Sequence, residues 1–203
     1  MAVFTPLTSP ALRGNEAGLS HYLGEVLKKV APNWKVFDEQ HTINLINSQG
    51  LAGDYARMRA EAEQTHILDR DLLQKLGKST GARYAFQPRL AYIFQTMTDR
   101  WTIGGLGILI SQIRSCLLRL SLQLWDMKSG ELVWVSAAET TLQSEALSQE
   151  PVFLEDAALV TFGGMVEDLL DGKTSSKYTP LNVLLDSLTR GSVSKEENAD
   201  GPK

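Results

Sequence analysis

The chain has 203 residues, of which 43% are hydrophobic and 22% are charged, and its formal net charge is -4. This composition is that of an ordinary globular protein, and the length predicts one domain with a substantial core. No long basic run is present, so nucleic-acid binding has no electrostatic support. The single cysteine, Cys116, excludes an intrachain disulfide framework and a multi-cysteine metal site. No apolar run reaches the roughly 18 residues that a membrane-spanning helix needs.

The first third of the chain predicts short strands and amphipathic helices. A strand is predicted over Ala2–Leu7, and the apolar spacing over Gly18–Val30 predicts a helix with one buried stripe. A proline and an asparagine end that helix, and Trp34–Phe37 predicts a short second strand. Two more helices are predicted, over His41–Ser48 and Leu51–Gln64.

The next helix begins after Asp69, whose carboxylate can accept hydrogen bonds from the unpaired amides of the first turn. Leucines at positions 72, 73 and 76 form its buried stripe, and Gly81 ends it. Asp69 and Asp71 could also be a carboxylate pair for acid–base chemistry. We favour helix capping and the helix dipole as the explanation of both residues.

The helix leads into a strand over Arg83–Gln95, which is rich in aromatic residues. Pro88 lies inside this run and predicts an edge strand or a bulge, because proline cannot donate to the sheet ladder. The following stretch, Thr96–Ile110, contains three glycines and is the least regular part of the middle of the chain.

A β-hairpin is the clearest element of the sequence. Leucines at positions 118, 120, 122 and 124 alternate with mostly polar residues, which is typical of a half-buried strand. Asp126–Gly130 supplies a turn in which Gly130 can take a positive φ, and Leu132–Ala137 forms the returning strand. Cys116 has the parity of the core leucines, so we expect it to be a small buried hydrophobe rather than a nucleophile.

After the hairpin, Val152–Leu170 predicts a long helix that Gly163-Gly164 would weaken or kink. The predicted fold is an α/β (α+β) sandwich. It has a mixed sheet of about five strands covered by helices, with a carboxy-terminal antiparallel hairpin followed by a long helix. We expect one domain over residues 1–172, a linker and a short amphipathic helix (Leu181–Leu188) within 173–190, and a disordered tail over 191–203.

No catalytic, cofactor-binding or metal-binding set of residues is predicted. His21, His41 and His66 lie on different predicted elements without metal-ligand spacing, and a local helix pair with Glu25 explains His21. The glycines at 104, 105 and 107 match neither a dinucleotide-binding fingerprint nor a P-loop. The sequence therefore predicts a protein that is not an enzyme and holds no cofactor.

The glycine-rich stretch is nevertheless too apolar for a solvated loop. If its large side chains are exposed, they form a patch of the kind that marks a partner or membrane contact. Plain strand extension or packing is the alternative. The partner-binding residues that we predict are Trp101, Ile103, Leu106 and Ile108.

Three segments of the chain resemble a group of bacterial envelope lipoproteins. They are AVFTPL with GLSHYLGEVLKKV and WKVFD, then ILDRDLLQKLGKSTGARYAFQPRL, and then LRLSLQLWDMKSGELVWVSA. The group comprises the curli-secretion (CsgG-like), penicillin-binding-protein activator (LpoB-like) and TolB amino-terminal-domain types. The matching motifs fall at Leu76-Gly77, Ala82–Leu90 and Leu122–Trp134, with Pro88 in place of a usual glycine and Ser129 in place of a usual threonine.

The resemblance implies a periplasmic location, a removed lipoprotein signal and work by protein–protein contact, with no catalytic residues to carry over. We therefore expect an accessory lipoprotein of cell-envelope assembly or secretion, anchored in the membrane through a lipid, with a protein of the envelope as its partner. Homo-oligomerisation stays open. One alternative is a periplasmic domain that binds a small molecule or glycan, and another is a cytosolic enzyme of unrecognised type.

Overall fold

The computed structural model describes residues 1–14, 16, 18–104, 107–144, 153–173 and 180–184. At residues 98–104, 107–113, 144 and 180–184 it describes the backbone alone. The helices are α1 (Leu19–Val30), α2 (Glu39–Ser48), α3 (Ala52–Thr65), α4 (Arg70–Thr80) and α5 (Leu154–Leu170), with a short 3₁₀ helix at Pro10–Leu12. The strands are β1 (Ala2–Val3), β2 (Leu7–Thr8), β3 (Tyr84–Gly104), β4 (Gly107–Asp126), β5 (Glu131–Ser144) and β6 (Pro180–Leu184).

The strands form one mixed sheet in the order β1-β3-β4-β5-β6, and β2 also pairs with β3. The pairs β3–β4 and β4–β5 are antiparallel, whereas β1 and β2 pair with β3 in parallel and β6 pairs with β5 in parallel. Helices supply the crossovers that parallel pairs require: α1 to α4 precede β3, and α5 precedes β6. The predicted fold class, including the hairpin followed by a long helix, is confirmed.

Helices cover the sheet on both faces, but unequally. On one face, α1 and α5 pack over β4 and β5, where the alternating leucines of β4 are fully buried. On the other face, α2, α3 and α4 pack mainly over β1, β2 and the first part of β3. Cys116 is buried in the first of these layers, as predicted. Each fully buried leucine contributes roughly 1.5–3 kcal/mol relative to exposure, so these layers supply most of the driving force.

The ends of α4 follow the sequence prediction. The carboxylate of Asp69 accepts a hydrogen bond from the backbone N–H of Leu72 at 2.8 Å, and Gly81 ends the helix in the left-handed conformation with φ of 68°. The turn between β4 and β5 likewise ends at Gly130, with φ of 73°. Asp69 fixes where α4 starts, Gly81 fixes where it stops, and Gly130 fixes where β5 starts.

The first predicted strand is divided in the structure. Ala2–Val3 and Leu7–Thr8 are separate strands, and both lie alongside β3. The predicted strand over Trp34–Phe37 is wrong, because only Phe37 takes part, through an isolated bridge to Ala2. The backbone N–H of Phe37 donates to the Met1 carbonyl at 2.8 Å, and the N–H of Val3 donates to the Phe37 carbonyl at 3.0 Å, so this segment lies against the edge of the sheet.

Pro88 lies inside an internal strand, not on an edge strand as predicted. β1 pairs with Ala85 and Phe86, β2 pairs with Arg89 and Leu90, and the register of neither strand includes Pro88. The ladder on that side is interrupted opposite the proline, so the missing N–H costs the sheet little. The bulge in β3 comes two residues further on, between Leu90 and Tyr92.

Residues 96–104 and 107–110 are regular antiparallel strand, because β3 and β4 continue to pair up to Gly104 and Gly107. Strand extension, the alternative for this stretch, is therefore present in place of an irregular segment. Pro180–Leu184 forms β6 rather than the start of a helix over Leu181–Leu188. The long helix begins at Leu154 and continues through both central glycines. The predicted tail over 191–203 lies outside the described residues.

Candidate functional site

The β3–β4 hairpin is longer than the rest of the sheet. β5 pairs with β4 only from Arg114 to Asp126, and β1 and β2 pair with β3 only near its start. Residues 98–104 and 107–113, which we call the hairpin extension, therefore pair only with each other among the described strands. A two-stranded ribbon is marginally stable in water unless something packs on it.

Three of the four predicted partner-binding residues lie in this extension. Trp101 is registered opposite Ile110, and Ile103 opposite Ile108. The fourth residue, Leu106, lies outside the described residues. These two cross-strand pairs lie two positions apart, and all four residues are large and apolar. Such pairs are the interactions by which neighbouring strands stabilise each other.

An exposed aromatic pair lies where the hairpin extension begins. Tyr92 is 44% exposed and Phe94 is 53% exposed, and their rings stack with centroids 6.4 Å apart. The bulge after Leu90 explains this, because one extra residue reverses the face to which every later side chain of the strand belongs. Without the bulge, both rings would share the buried face of Phe86.

The aromatic residues of Arg83–Gln95 predicted a strand but gave no indication that Tyr92 and Phe94 form an exposed surface. Tyr92 is registered opposite Arg119 of β4, and Arg119 donates to Glu139 of β5 at 2.6 Å. Val135 on the same open part of the sheet is 40% exposed. No residue type indicates a bulge directly. The signal in the sequence for an exposed surface was that this strand has more aromatic residues than one buried face can hold.

The histidines and the cysteine lie apart from one another. His21 pairs with Glu25 at 3.4 Å, as predicted, and His66 contacts Arg89 through Nδ1 at 2.7 Å. Burial raises the pKa of the Cys116 thiol, so the reactive thiolate is disfavoured. In the described part of the chain, no three His, Cys, Asp or Glu side chains converge as metal ligands would.

A second feature is a pocket of about 500 Å³ between the end of α4 and the β4–β5 turn. Burial would raise the pKa of the Asp126 carboxyl. Hydrogen bonds from the backbone N–H groups of Lys128 and Ser129, together with the Arg83 guanidinium, outweigh burial and lower it. The lining residues are Gln74, Gly77, Lys78, Gly81, Ala82, Arg83, Met127 and Lys128.

A third feature is a cleft of about 380 Å³ beside the end of α5, lined mostly by apolar and aromatic side chains. Trp34 and Tyr84 form part of its wall together with Trp134, whose indole N–H donates to the backbone carbonyl of Lys173 at 2.9 Å. The side chain of Lys173 is held by Asp168 at 2.5 Å. The Trp134 indole and the Lys173 ammonium are thus already engaged within the protein.

No protein-family model and no curated protein sequence matches this chain. Among solved structures, the chain is similar to lipoprotein GNA1162 from Neisseria meningitidis, with 14% identity and a TM-score of 0.45 over 84% of this chain and 94% of that one. It is also similar to a PelC dodecamer from Paraburkholderia phytofirmans, with 15% identity and a TM-score of 0.36 over 87% of each chain. A variant PelC dodecamer from the same organism gives 14% identity and a TM-score of 0.35, over 83% of this chain and 85% of that one.

These TM-scores are below 0.5 and the identities are low, so the likenesses carry no inference about activity or partners. Across the described residues, no helix combines the length and the apolar content that crossing a bilayer demands.

Proposed function

We propose that this protein is a non-enzymatic accessory lipoprotein of the bacterial cell envelope. It would reside in the periplasm, attached to a membrane through a lipid anchor, and act in envelope assembly or secretion by contacting another protein. The contact residues would be Trp101, Ile103, Leu106 and Ile108. The location follows from the resemblance of the three sequence segments, and the mode of action is supported by the geometry of the hairpin.

One observation carries the proposal: β3 and β4 continue as a two-stranded ribbon after every other described strand has ended. The ribbon is closed by apolar cross-strand pairs rather than by the charged residues that protect an exposed edge. Burying a large apolar side chain is worth roughly 1.5–3 kcal/mol. A partner that covers these residues would thus supply the packing that a lone ribbon lacks.

The base of the hairpin extension supports the same surface. Tyr92 and Phe94 stack on each other, and both are large, exposed and within a few residues of the extension. Exposed apolar residues that cluster in this way are typical of interaction sites, whereas single exposed ones are not. A partner could therefore contact the ribbon and its aromatic base together.

The test is a double substitution, Trp101→Ser with Leu106→Ser, in the tagged full-length protein expressed in its own host. The matched control is Ile67→Ser with Val133→Ser, two exposed apolar residues at 64% and 48% exposure away from the extension. We expect cross-linked envelope partners to be lost from the first variant and kept by the second, with the thermal unfolding temperature of both near wild type. Unchanged capture by the first variant would refute the assignment of the contact to the hairpin extension.

The same variants show whether the partner of the hairpin extension is another protein or a second copy of this chain. Light scattering on the purified protein measures whether it self-associates. An oligomer that the Trp101/Leu106 variant reduces to a monomer would assign the extension to self-assembly. A monomeric wild-type protein whose cross-links are lost in the variant would assign it to another envelope protein.

A further inference from the structure

We propose that the pocket between α4 and the β4–β5 turn is an anion site that binds a phosphate group. Lys78 and Lys128 supply the free positive charge, and Arg83 supplies a third cation at the rim. This site lies in the helix-covered body, and it does not depend on the function proposed for the hairpin extension.

The backbone around the pocket is closely packed. Gly81 turns the chain sharply at the end of α4, and Met127 then donates its backbone N–H to the carbonyl of Arg83 at 2.7 Å. A Cβ on Gly77 would lie 2.8 Å from the Cβ of Met127, so the turn can rest on the helix only because residue 77 is glycine. The pocket is thus held by main-chain contacts before any ligand binds, which lowers the entropic cost of binding.

The charges of the lining are unbalanced. Lys78 and Lys128 are exposed, and neither ammonium group has an ion-pair partner among the described residues. Arg83 is held near Asp126, with its guanidinium nitrogen 3.3 Å from the carboxylate. That carboxylate also accepts the backbone N–H of Lys128 at 2.8 Å, so the nearest anion is already engaged. Three cations and one carboxylate meet here on a chain whose overall charge is negative.

The carboxyl end of α4 lies beside the pocket, so its charge affects whether an anion can bind there. The carboxyl end of a helix carries partial negative charge, which opposes an anion. Two of the carbonyls concerned are already capped, because Thr80 donates its hydroxyl to Leu76 at 2.8 Å and Gly81 donates its N–H to Gly77 at 3.0 Å. Lys75, one turn earlier, is neutralised by Asp54 at 2.7 Å and contributes no free charge. The two unpaired lysines therefore decide the sign of the local field.

The chemistry of the lining selects the ligand class. Lysine binds phosphate as a point charge, while arginine offers a planar fork, and both types are present. The apolar floor made by Ala82 and Met127 can accept the organic part of a phosphate ester. A volume of about 500 Å³ is that of a small-molecule site rather than of a single ion. The phosphate could belong to a soluble compound or to the headgroup of an anionic lipid.

The experiment measures pyrophosphate binding to the full chain by calorimetry, and co-sedimentation with phosphatidylglycerol vesicles against vesicles of phosphatidylcholine alone. The test variant is Lys78→Gln with Lys128→Gln. The control is Lys28→Gln with Lys29→Gln, which removes the same charge from two exposed lysines of α1. We expect binding to weaken at least about tenfold in the test variant and to stay within about twofold of wild type in the control.

Each result decides the proposal. Pyrophosphate binding that the test variant loses assigns a soluble phosphate compound. Binding to anionic vesicles alone, lost in the same variant, assigns the lipid headgroup. Equal weakening in both variants would mean non-specific charge attraction, and absence of binding to either probe would mean that no phosphate site exists. Both of these results overturn the proposal without bearing on the hairpin extension.

Discussion

The two halves of the β3–β4 hairpin have the same kind of sequence but different surroundings. In the body, β4 lies between β3 and β5, and Leu118, Leu120 and Leu122 are completely buried under α1 and α5. In the hairpin extension, the same two strands pair only with each other among the described strands. Large apolar residues occupy alternate positions in both halves, although Leu109 also fills the position between Ile108 and Ile110. What separates structure-forming residues from candidate contact residues is therefore the presence of a third strand and a helix layer, not the pattern itself.

The largest expected effect compares one residue of β4 in each half. Leu120→Ala should lower the free energy of unfolding by about 2–5 kcal/mol, because it opens a cavity in a closely packed core. Ile110→Ala, on the same strand in the extension, should cost less than about 1 kcal/mol in the isolated protein. Urea denaturation of both variants checks this. Equal losses would contradict the comparison, since they would mean that the extension packs as tightly as the body.

The next effect concerns how closely the body is packed where α4 meets the β4–β5 turn. Gly77→Ala should destabilise the protein by roughly 1–3 kcal/mol, because the added methyl group would meet Met127. Gly53→Ala is the control, because a Cβ there meets nothing within 4 Å on α3. That change should be neutral or stabilising by up to about 1 kcal/mol. Thermal unfolding distinguishes the two, and a stabilising Gly77→Ala would rule out the close contact.

A smaller effect is expected at the start of α4. Asp69→Ala removes the side chain that caps the N–H of Leu72 and should cost about 1 kcal/mol. Asp71→Ala removes the same charge from the first turn without removing the cap and should cost about half as much or less. Chemical denaturation of the two variants makes the comparison, and equal costs would show that charge rather than capping fixes this end of the body.

The smallest effect is a dependence on pH. The folded protein holds the pKa of Asp126 below its ordinary value of 3.8. The stabilisation is thus fully present above that value and is lost as the pH falls through the lower, folded-state pKa. Asp126→Asn should flatten the fall of the unfolding temperature on acidification below about pH 4. Asp71→Asn serves as the control, and an unchanged acid profile for Asp126→Asn would mean that other carboxylates dominate acid unfolding.

Much of the fold could be predicted because local chemistry and tertiary packing agree. Asp69 and Gly81 mark the ends of α4, and Gly130 marks the turn into β5, each for a reason that depends on a few neighbouring residues. The alternating leucines of β4 likewise predict its buried face, because their spacing alone places them on one side of the strand. These elements form where the sequence indicates since nothing distant overrides them.

The other features depend on residues far apart in the chain. Gly104 and Gly107, which suggested an irregular loop, lie at the end of a regular hairpin, because pairing between β3 and β4 outweighs their low strand preference. The bulge that exposes Tyr92 and Phe94 is set by register, and no single residue type announces it. Lys78 and Lys128 line the same pocket only because β3 pairs with β4, which places the β4–β5 turn beside the end of α4.

The divided first strand has a consequence for the order of folding. Ala2 pairs with Ala85, so the beginning of the chain cannot join the sheet until α4 and the start of β3 exist. The β3–β4–β5 meander, by contrast, is built from neighbours in sequence and can form early. Ala2, Val3 and Phe4, all completely buried in the folded protein, therefore stay exposed to solvent until β3 is available to pair with this segment.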